Sequence, residues 1–254
     1  MTEFVLIAGA WLGSWAWSEV VADLRAAGYG THPLTLSGVS DKQGVPAGLQ
    51  THVQDIVDEV ERHDLRDVIL VGHSYSGIPT GQAAELIGDR LSRVVFVDSN
   101  VPTDGESFVS GWPSGRAMVE AAIAENDGFW PPLAAADFEG QGLSDEQITR
   151  IVKGSTPHPG ATLTEPAVLT RPLGDLPATY IKCLLDGAEP SDEVAATHAT
   201  YRAPGTAMAS IATAMDRPAS RSSPSSWSEA RTSQSTHTMA SNGVGAKLCL
   251  TSGA

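Results

Sequence analysis

Cysteines and basic residues are scarce in this chain of 254 residues. Its two cysteines, Cys183 and Cys249, follow no disulfide or metal-ligand spacing. The chain contains 16 lysines and arginines but 30 aspartates and glutamates, which gives a formal net charge of −14. No apolar run is long enough to cross a bilayer, and the first residues contain neither the basic region nor the cleavage site of a signal peptide. These absences argue against nucleic acid and membranes as partners, and they predict a cytoplasmic protein with reduced thiols.

Charge and composition change near residue 200. Residues 1–200 carry 28 acidic and 11 basic side chains, a net charge of −17, whereas residues 201–254 carry 2 and 5, a net charge of +3. About a third of residues 202–254 are serine or threonine, and they include no convincing strand pattern. Such a composition buries little apolar surface. We therefore predict that residues 202–254, which we call the tail, are atypical and either disordered or translated out of frame.

Strand and helix patterns alternate through the first hundred residues. Short apolar runs alternate with segments whose apolar residues recur at helical spacing, such as Val53, Ile56, Val57 and Val60. This alternation predicts an α/β fold with a mostly parallel sheet and helices on both faces. We predict strands at 4–8, 29–36, 67–71 and 91–98, and helices at 49–63, at 78–87 and between Ser14, as N-cap, and Gly28.

The pattern loosens between residues 101 and 176. Two short helices are predicted there, at 116–125 and 145–153, among pieces rich in glycine and proline. The segment is too long for a connecting loop, so it predicts a cap inserted over the C-terminal edge of the sheet. The α/β core then comprises residues 1–100 and 177–201, with a further strand at 178–185, Asp186 at its end, and a helix at 191–201.

The most informative stretch is Gly72-His73-Ser74-Tyr75-Ser76-Gly77. A predicted strand precedes it and a predicted helix follows, as in a nucleophile elbow, where a strained turn exposes a serine hydroxyl. The amide of Tyr75 lies at the start of that helix, where it can face a developing oxyanion. A chance match is the alternative, because the motif is short. The strand before it and the helix after it favour the functional interpretation.

With these features the chain resembles the α/β-hydrolase superfamily, and within it the branch of plant-type methylesterases and hydroxynitrile lyases with their bacterial relatives. The resemblance covers about residues 3–201 and rests on residues 4–17, 71–77, 97–98, 156–159 and 180–186.

The resemblance implies a set of functional residues and a substrate class. Ser74 is the expected nucleophile, Asp186 the acid that orients a histidine, and the amides of Ala10 and Tyr75 the oxyanion hole. No metal or other cofactor is implied, and the expected substrate is a small carboxylic ester. Four residues of the predicted cap are expected either to line an apolar pocket or to form the core of the cap: Trp112, Phe129, Trp130 and His158.

Two positions depart from the pattern of the branch. Ala8 stands where a histidine usually supports the oxyanion loop, and Gly9 stands where hydroxynitrile lyases need a hydroxyl, commonly a threonine. The lysine that lyases carry close after the catalytic histidine is also missing. The resemblance therefore favours ester hydrolysis over a hydroxynitrile lyase-like activity.

A larger departure is the catalytic histidine itself. A serine is a weak nucleophile until a base takes its proton, and the window where the resemblance places that base, residues 211–216, contains no histidine. His198 follows Asp186 too closely, and His237 in the tail is only a weak candidate. A pseudo-hydrolase that binds a small ligand in the same cavity without turnover is therefore the alternative to a working esterase.

One hypothesis connects the missing base with the change in composition: the reading frame changes near residue 202. If GC-rich codons are assumed for residues 212–216, reading them two nucleotides along gives His-Gly-His-Gly, with a histidine in the expected window. The rival hypothesis is a natural C-terminal extension.

Overall fold

The structure is a computed structural model, and it describes residues 1–139, 141–171, 173 and 176–181. Asp186, His198, His237, the predicted helix at 191–201 and the whole tail lie outside the described residues. In chain order the elements are β1 (Glu3–Ile7), α1 (Ser18–Ala26), β2 (Gly30–Leu34), α2 (Leu49–Arg62), β3 (Val68–His73), α3 (Gly77–Leu86), β4 (Leu91–Val97), α4 (Pro113–Glu125), β5 (Phe129–Trp130), α5 (Asp145–Gly154), β6 (His158–Pro159), α6 (Ala161–Thr164) and β7 (Ala178–Ile181).

Five strands form one parallel sheet in the order β2-β1-β3-β4-β7. Both faces of this sheet are covered, as β1 illustrates. Phe4 and Leu6 pack in a cluster with residues of α1, whereas Val5 and Ile7 pack in a second cluster with residues of α2 and α3. The sequence prediction of an α/β fold with a parallel sheet and helices on both faces is confirmed. All strand carboxyl ends meet at one edge of the sheet, where ligands bind in folds of this type.

Ser14 is not the N-cap of the first helix, so that prediction is wrong. A 3₁₀ turn occupies Ser14–Trp17, the α-helix begins only at Ser18, and no side chain caps either segment. The main-chain amide of Ser14 donates instead to Oγ1 of Thr35, at 3.0 Å. The tight turn buries Trp17 before the helix begins.

The segment between β4 and β7 contains the two predicted helices, α4 and α5, together with the short helix α6. A two-residue antiparallel ribbon, β5 with β6, pairs Trp130 with His158. We call residues 101–176 the insertion. No helix in the described part of the chain is both long enough and apolar enough to cross a membrane.

Candidate active site

Ser74 lies at the sharp turn between β3 and α3. Its φ of 54° places it in the left-handed region, which is strained for a residue with a side chain. Ser74 is half-buried, whereas His73 and Tyr75 on either side are buried. The turn therefore presents the Ser74 side chain at the carboxyl edge of the sheet, which is the geometry of a nucleophile elbow.

Two glycines allow the close packing that this turn requires. A Cβ at Gly72 would lie 2.6 Å from Oγ1 of Thr80 in α3, and a Cβ at Gly77 would lie 2.2 Å from the carbonyl oxygen of Asn100. Both distances are far below van der Waals contact. The amide of Asn100 in turn donates to the carbonyl of Ser74, at 3.1 Å, so the chain after β4 fixes the turn from outside.

Ser76 ties the turn to β1. Its hydroxyl accepts from the amide of His73 at 2.9 Å and lies 3.0 Å from the carbonyl oxygen of Ile7, to which it can donate. The side chain is completely buried. A small residue with a hydroxyl group thus connects the elbow with the end of the neighbouring strand.

The loop after β1 lies directly against Ser74. A Cβ at Gly9 would lie 2.9 Å from Cβ of Ser74 and 3.1 Å from Nδ1 of His73. In the described residues, neither the amide of Ala10 nor that of Tyr75 donates a hydrogen bond to a protein group. Two unused amides, one in the loop and one at the elbow, are the donors that an oxyanion hole needs.

Trp11 follows Ala10 and is held by the insertion through three hydrogen bonds. Its amide donates to Nδ1 of His158 at 3.2 Å, its indole donates to the carbonyl of Trp130 at 3.2 Å, and its carbonyl accepts from the amide of Thr156 at 3.0 Å. Its φ of 68° is again in the left-handed region. The insertion thus fixes a strained residue next to the amide of Ala10.

The tautomer of His158 follows from its partners. A main-chain amide can only donate, so Nδ1 of His158 carries no proton and Nε2 carries it. Nε2 then donates to Oγ1 of Thr162 at 3.0 Å, and the Thr162 hydroxyl donates to the carbonyl of Pro159 at 2.7 Å. Burial, and after it the nearby His52, lower the pKa of His158 well below its usual 6.5, in keeping with a neutral ring.

His52 holds the side chain of Tyr75, the residue that carries the other amide. Its Nε2 lies 2.8 Å from the carbonyl of Ser37, which can only accept, so Nδ1 is bare and accepts from the Tyr75 hydroxyl at 3.0 Å. Burial lowers the pKa of His52 to about 4 and raises that of Tyr75 well above 10. A buried neutral imidazole therefore anchors the side chain of the residue that carries the second amide.

None of the histidines in the described residues serves as a base for Ser74. No imidazole there hydrogen-bonds Ser74. His73 points away into the interior next to Trp17, and burial lowers its pKa to about 4. Its Nε2 has no hydrogen-bond partner among the described residues. The structure therefore brings together Ser74, Tyr75 and the loop that contains Ala10, while Asp186 and any base lie outside the described residues.

The aromatic residues of the insertion that were predicted to line a pocket or form a core have different environments. Trp130 is buried, with its ring 4.2 Å from that of Trp11, whereas Phe129 is about one-third exposed. Trp112 packs against Phe108, which the sequence analysis did not single out. Trp130 and His158 thus belong to a core that joins the insertion to the loop after β1.

Comparison with known proteins agrees with this geometry. A model of the alpha/beta hydrolase family matches residues 4–231, which is most of the chain and reaches into the tail. The chain belongs to the α/β-hydrolase family. A carbendazim hydrolyzing esterase from a Nocardioides species is 30% identical over 204 residues, covering 75% of this chain and 83% of that protein. Methylesterase 9 of Arabidopsis thaliana is 31% identical over 119 residues, covering 43% of this chain and 45% of that protein.

A solved structure gives the same result. An extracellular α/β-hydrolase from a Paenibacillus species, described as sharing structural and functional homology with tobacco salicylic acid binding protein 2, is 25% identical with a TM-score of 0.66. The likeness covers 72% of this chain and 77% of that one. The predicted resemblance to methylesterases and their bacterial relatives is confirmed, and this α/β-hydrolase is an enzyme of the hydrolase class.

Proposed function

We propose that this α/β-hydrolase cleaves a small carboxylic ester through an acyl-enzyme on Ser74. The observation that carries the proposal is the position of Ser74, at a strained strand-to-helix turn near two amides that donate to no protein group among the described residues. Oγ of Ser74 attacks the ester carbonyl, and the amides of Ala10 and Tyr75 donate to the oxyanion. The alcohol leaves with a proton, and water then attacks the acyl-serine, which releases the acid and restores the hydroxyl.

The two donors need to stay in place while charge develops on the carbonyl oxygen. His158 holds Trp11 beside Ala10, and His52 holds the side chain of Tyr75. Both imidazoles are buried and neutral, so the site gains fixed dipoles without a competing cation. Such preorganised donors are typically the largest single contribution to acyl transfer.

The base that this mechanism requires has one weak candidate in the chain. Five of the seven histidines lie in the described residues and have other environments, and His198 follows Asp186 too closely, which leaves His237. Asp186 is the proposed acid that orients the imidazole. Loss of a triad histidine costs roughly 10⁶ in kcat, and the oxyanion hole and binding then leave about 10³–10⁴ over water.

Gly9 favours hydrolysis over the lyase alternative. A threonine there would bring its Cβ within 2.9 Å of Cβ of Ser74, so one of the two residues would have to shift. The names of the relatives, methylesterase and carbendazim hydrolyzing esterase, support an ester or a related acyl compound as substrate. Among small esters we favour methyl esters.

Hydrolysis of p-nitrophenyl acetate and of a panel of methyl esters by the whole chain tests the proposal, with Ser74→Ala as the comparison. We expect turnover that the substitution abolishes, and a fluorophosphonate probe that labels Ser74 and no other serine, as located by mass spectrometry. Cyanohydrin cleavage without ester hydrolysis would establish the lyase alternative. Ester binding without turnover or labelling, unchanged in Ser74→Ala, would establish a ligand-binding pseudo-hydrolase.

A further inference from the structure

Two histidines and a glutamate converge beside β2, an edge strand of the described sheet. His32 lies on β2, while Glu59 and His63 lie one turn apart at the end of α2. Oε1 of Glu59 is 3.6 Å from Nδ1 of His32 and 3.5 Å from Nε2 of His63, and the three ligand atoms all lie within 4.8 Å of one another. His32 is the middle residue of β2 and pairs with Val5 of β1, whereas Ser74 follows the carboxyl end of β3.

These distances are close to those around a tetrahedral metal ion. Zn²⁺ with bonds of about 2.0–2.1 Å holds its ligand atoms roughly 3.4 Å apart. Two of the three pairs are within a few tenths of an ångström of that spacing. Two imidazole nitrogens and one carboxylate oxygen form a ligand set that Zn²⁺ accepts, with a fourth position left for water.

A second carboxylate orients His32. Oε2 of Glu3 lies 3.2 Å from Nε2 of His32 and can accept a proton from that nitrogen, and Nδ1 then faces Glu59 and can bind a metal ion. Metal-bound histidines commonly donate their other nitrogen to a carboxylate in this way. Gly30 makes room for it, because a Cβ at Gly30 would lie 1.6 Å from Oε2 of Glu3.

The charges around the cluster also favour a cation. Glu3 and Glu59 contribute two negative charges, and the side chains of Glu3, His32 and Glu59 are each less than a quarter exposed. Arg62 is the opposing charge, with its guanidinium 3.6 Å from the other oxygen of Glu59, Oε2. Oε1 therefore remains available to the two imidazoles.

We propose that His32, Glu59 and His63 bind a divalent transition-metal ion of the Zn²⁺ class, with Glu3 as the residue that positions His32. The ion would link β2, the edge strand of the described sheet, to the last turn of α2. A ligand that binds only the folded state stabilises it in proportion to the logarithm of its concentration over Kd. This site is independent of the proposed ester hydrolysis.

Calorimetric titration of the chelator-treated whole chain with Zn²⁺ tests the proposal. We expect wild type to bind one more equivalent than His63→Ala or Glu59→Gln, and Glu3→Gln to retain the site with Kd raised about 10–100-fold. Zn²⁺ at 100 times Kd should raise the Tm by roughly 5–10 °C in wild type, and this rise should be absent in His63→Ala.

Arg62→Ala is the matched control, because it removes a side chain from the same helical turn without removing a ligand. It should bind Zn²⁺ at least as tightly as wild type, since a competing cation next to Glu59 is gone. Equal zinc stoichiometry in wild type and His63→Ala would overturn the proposal and would mean that the cluster is a set of ion pairs only. Equal losses in Arg62→Ala and His63→Ala would overturn it as well.

Discussion

Nδ1 of His158 accepts a hydrogen bond from the amide of Trp11, two residues that are 147 positions apart in the chain. The bond joins the insertion to the loop that follows β1. Trp11 has a strained φ of 68°, so its conformation depends on the groups that hold it. Because Ala10 precedes Trp11 directly, the insertion controls the placement of one of the two proposed oxyanion donors.

Two substitutions of His158 separate this bond from the rest of its environment. The amide oxygen of asparagine can take the place of Nδ1, whereas glutamine reaches only the place of Nε2. We expect His158→Gln to lower kcat about 10–100-fold, because the amide of Trp11 loses its acceptor and the donor beside it moves. His158→Asn should retain more of the activity, although it gives up the contact with Thr162.

The measurement is kcat and KM for p-nitrophenyl acetate, together with the free energy of unfolding of both variants. A structural role alone would lower stability and leave kcat of the folded fraction unchanged in both. Equal kcat values in the two variants would contradict a positioning role for Nδ1. Labelling of Ser74 by a fluorophosphonate gives the same comparison independently of turnover.

The buried histidines make stability depend on pH. Burial lowers the pKa of both His52 and His73 to about 4, against about 6.5 in an unfolded chain. Between these values the unfolded state binds more protons, so the stabilisation is complete above pH 6.5 and is lost as the pH falls toward 4. Each histidine should contribute a slope of up to about 1.4 kcal/mol per pH unit.

Urea denaturation at pH values from 7.5 to 4.5 measures this slope. His73→Asn removes one titrating group. The slope of its free energy of unfolding against pH should therefore be smaller than that of wild type, by up to about 1.4 kcal/mol per pH unit. His73 is the better test, because no group in the described part of the chain bonds its Nε2, whereas His52 also holds Tyr75. Parallel curves for wild type and His73→Asn would mean that His73 titrates normally in the folded protein.

Gly77 should not accept a side chain. A Cβ there would lie 2.2 Å from the carbonyl of Asn100 and 2.4 Å from Oγ of Ser99. We expect Gly77→Ala to lower the free energy of unfolding by about 1–3 kcal/mol. It should also lower kcat, because the amide of Asn100 donates to the carbonyl of Ser74.

Gly111→Ala is the control for this substitution. Its Cβ would lie 3.6 Å or more from every neighbouring atom, and its φ is not in the left-handed region. Its effect on the free energy of unfolding should stay within about 0.5 kcal/mol, as for ordinary surface substitutions. Urea denaturation measures the free energy of unfolding of both variants. Equal effects would show that the residues after β4 shift easily to admit a side chain at Gly77, and would contradict the prediction.

The elbow and the strands and helices around the sheet were predictable from sequence, because each of these elements is specified by residues close together in the chain. An apolar run, Ser74 among small residues, and a helix directly after it occur within twenty residues. His52 was also within reach, since it lies at helical spacing with Leu49, Val53 and Ile56 on the buried face of α2. The bond of His52 to Tyr75 is not predictable from that spacing, which is equally typical of an ordinary structural histidine.

The contacts of the insertion were not predictable in this way. No local pattern relates Trp11 to His158 or Trp130, because the pairing depends on how the insertion folds back over the loop after β1. The prediction that Ser14 is the N-cap of the first helix was wrong for a related reason, namely that packing overrides a local signal. A serine before a helical pattern is a good signal, but burial of Trp17 imposes a 3₁₀ turn first, and the helix begins four residues later.

The hypothesis of a frame change makes a prediction about the gene and about the missing catalytic histidine. If the frame changes near residue 202, the gene contains codons for residues 212–216 that read His-Gly-His-Gly two nucleotides along. A chain expressed in that second frame should gain a triad histidine, and its kcat should exceed that of the present chain by up to about 10⁶. Sequencing the gene and comparing p-nitrophenyl acetate hydrolysis by the two chains measure this directly.

Ser74→Ala in the second-frame chain is the control, and it should remove the gained activity. His237→Gln in the present chain tests the rival hypothesis of a natural extension. If that substitution abolishes a robust activity, the tail supplies the base and the frame hypothesis is wrong. If the present chain stays near background and its histidine variants change nothing, the elbow and its two amides lack a base, since His52, His73 and His158 have other partners or lie in the interior.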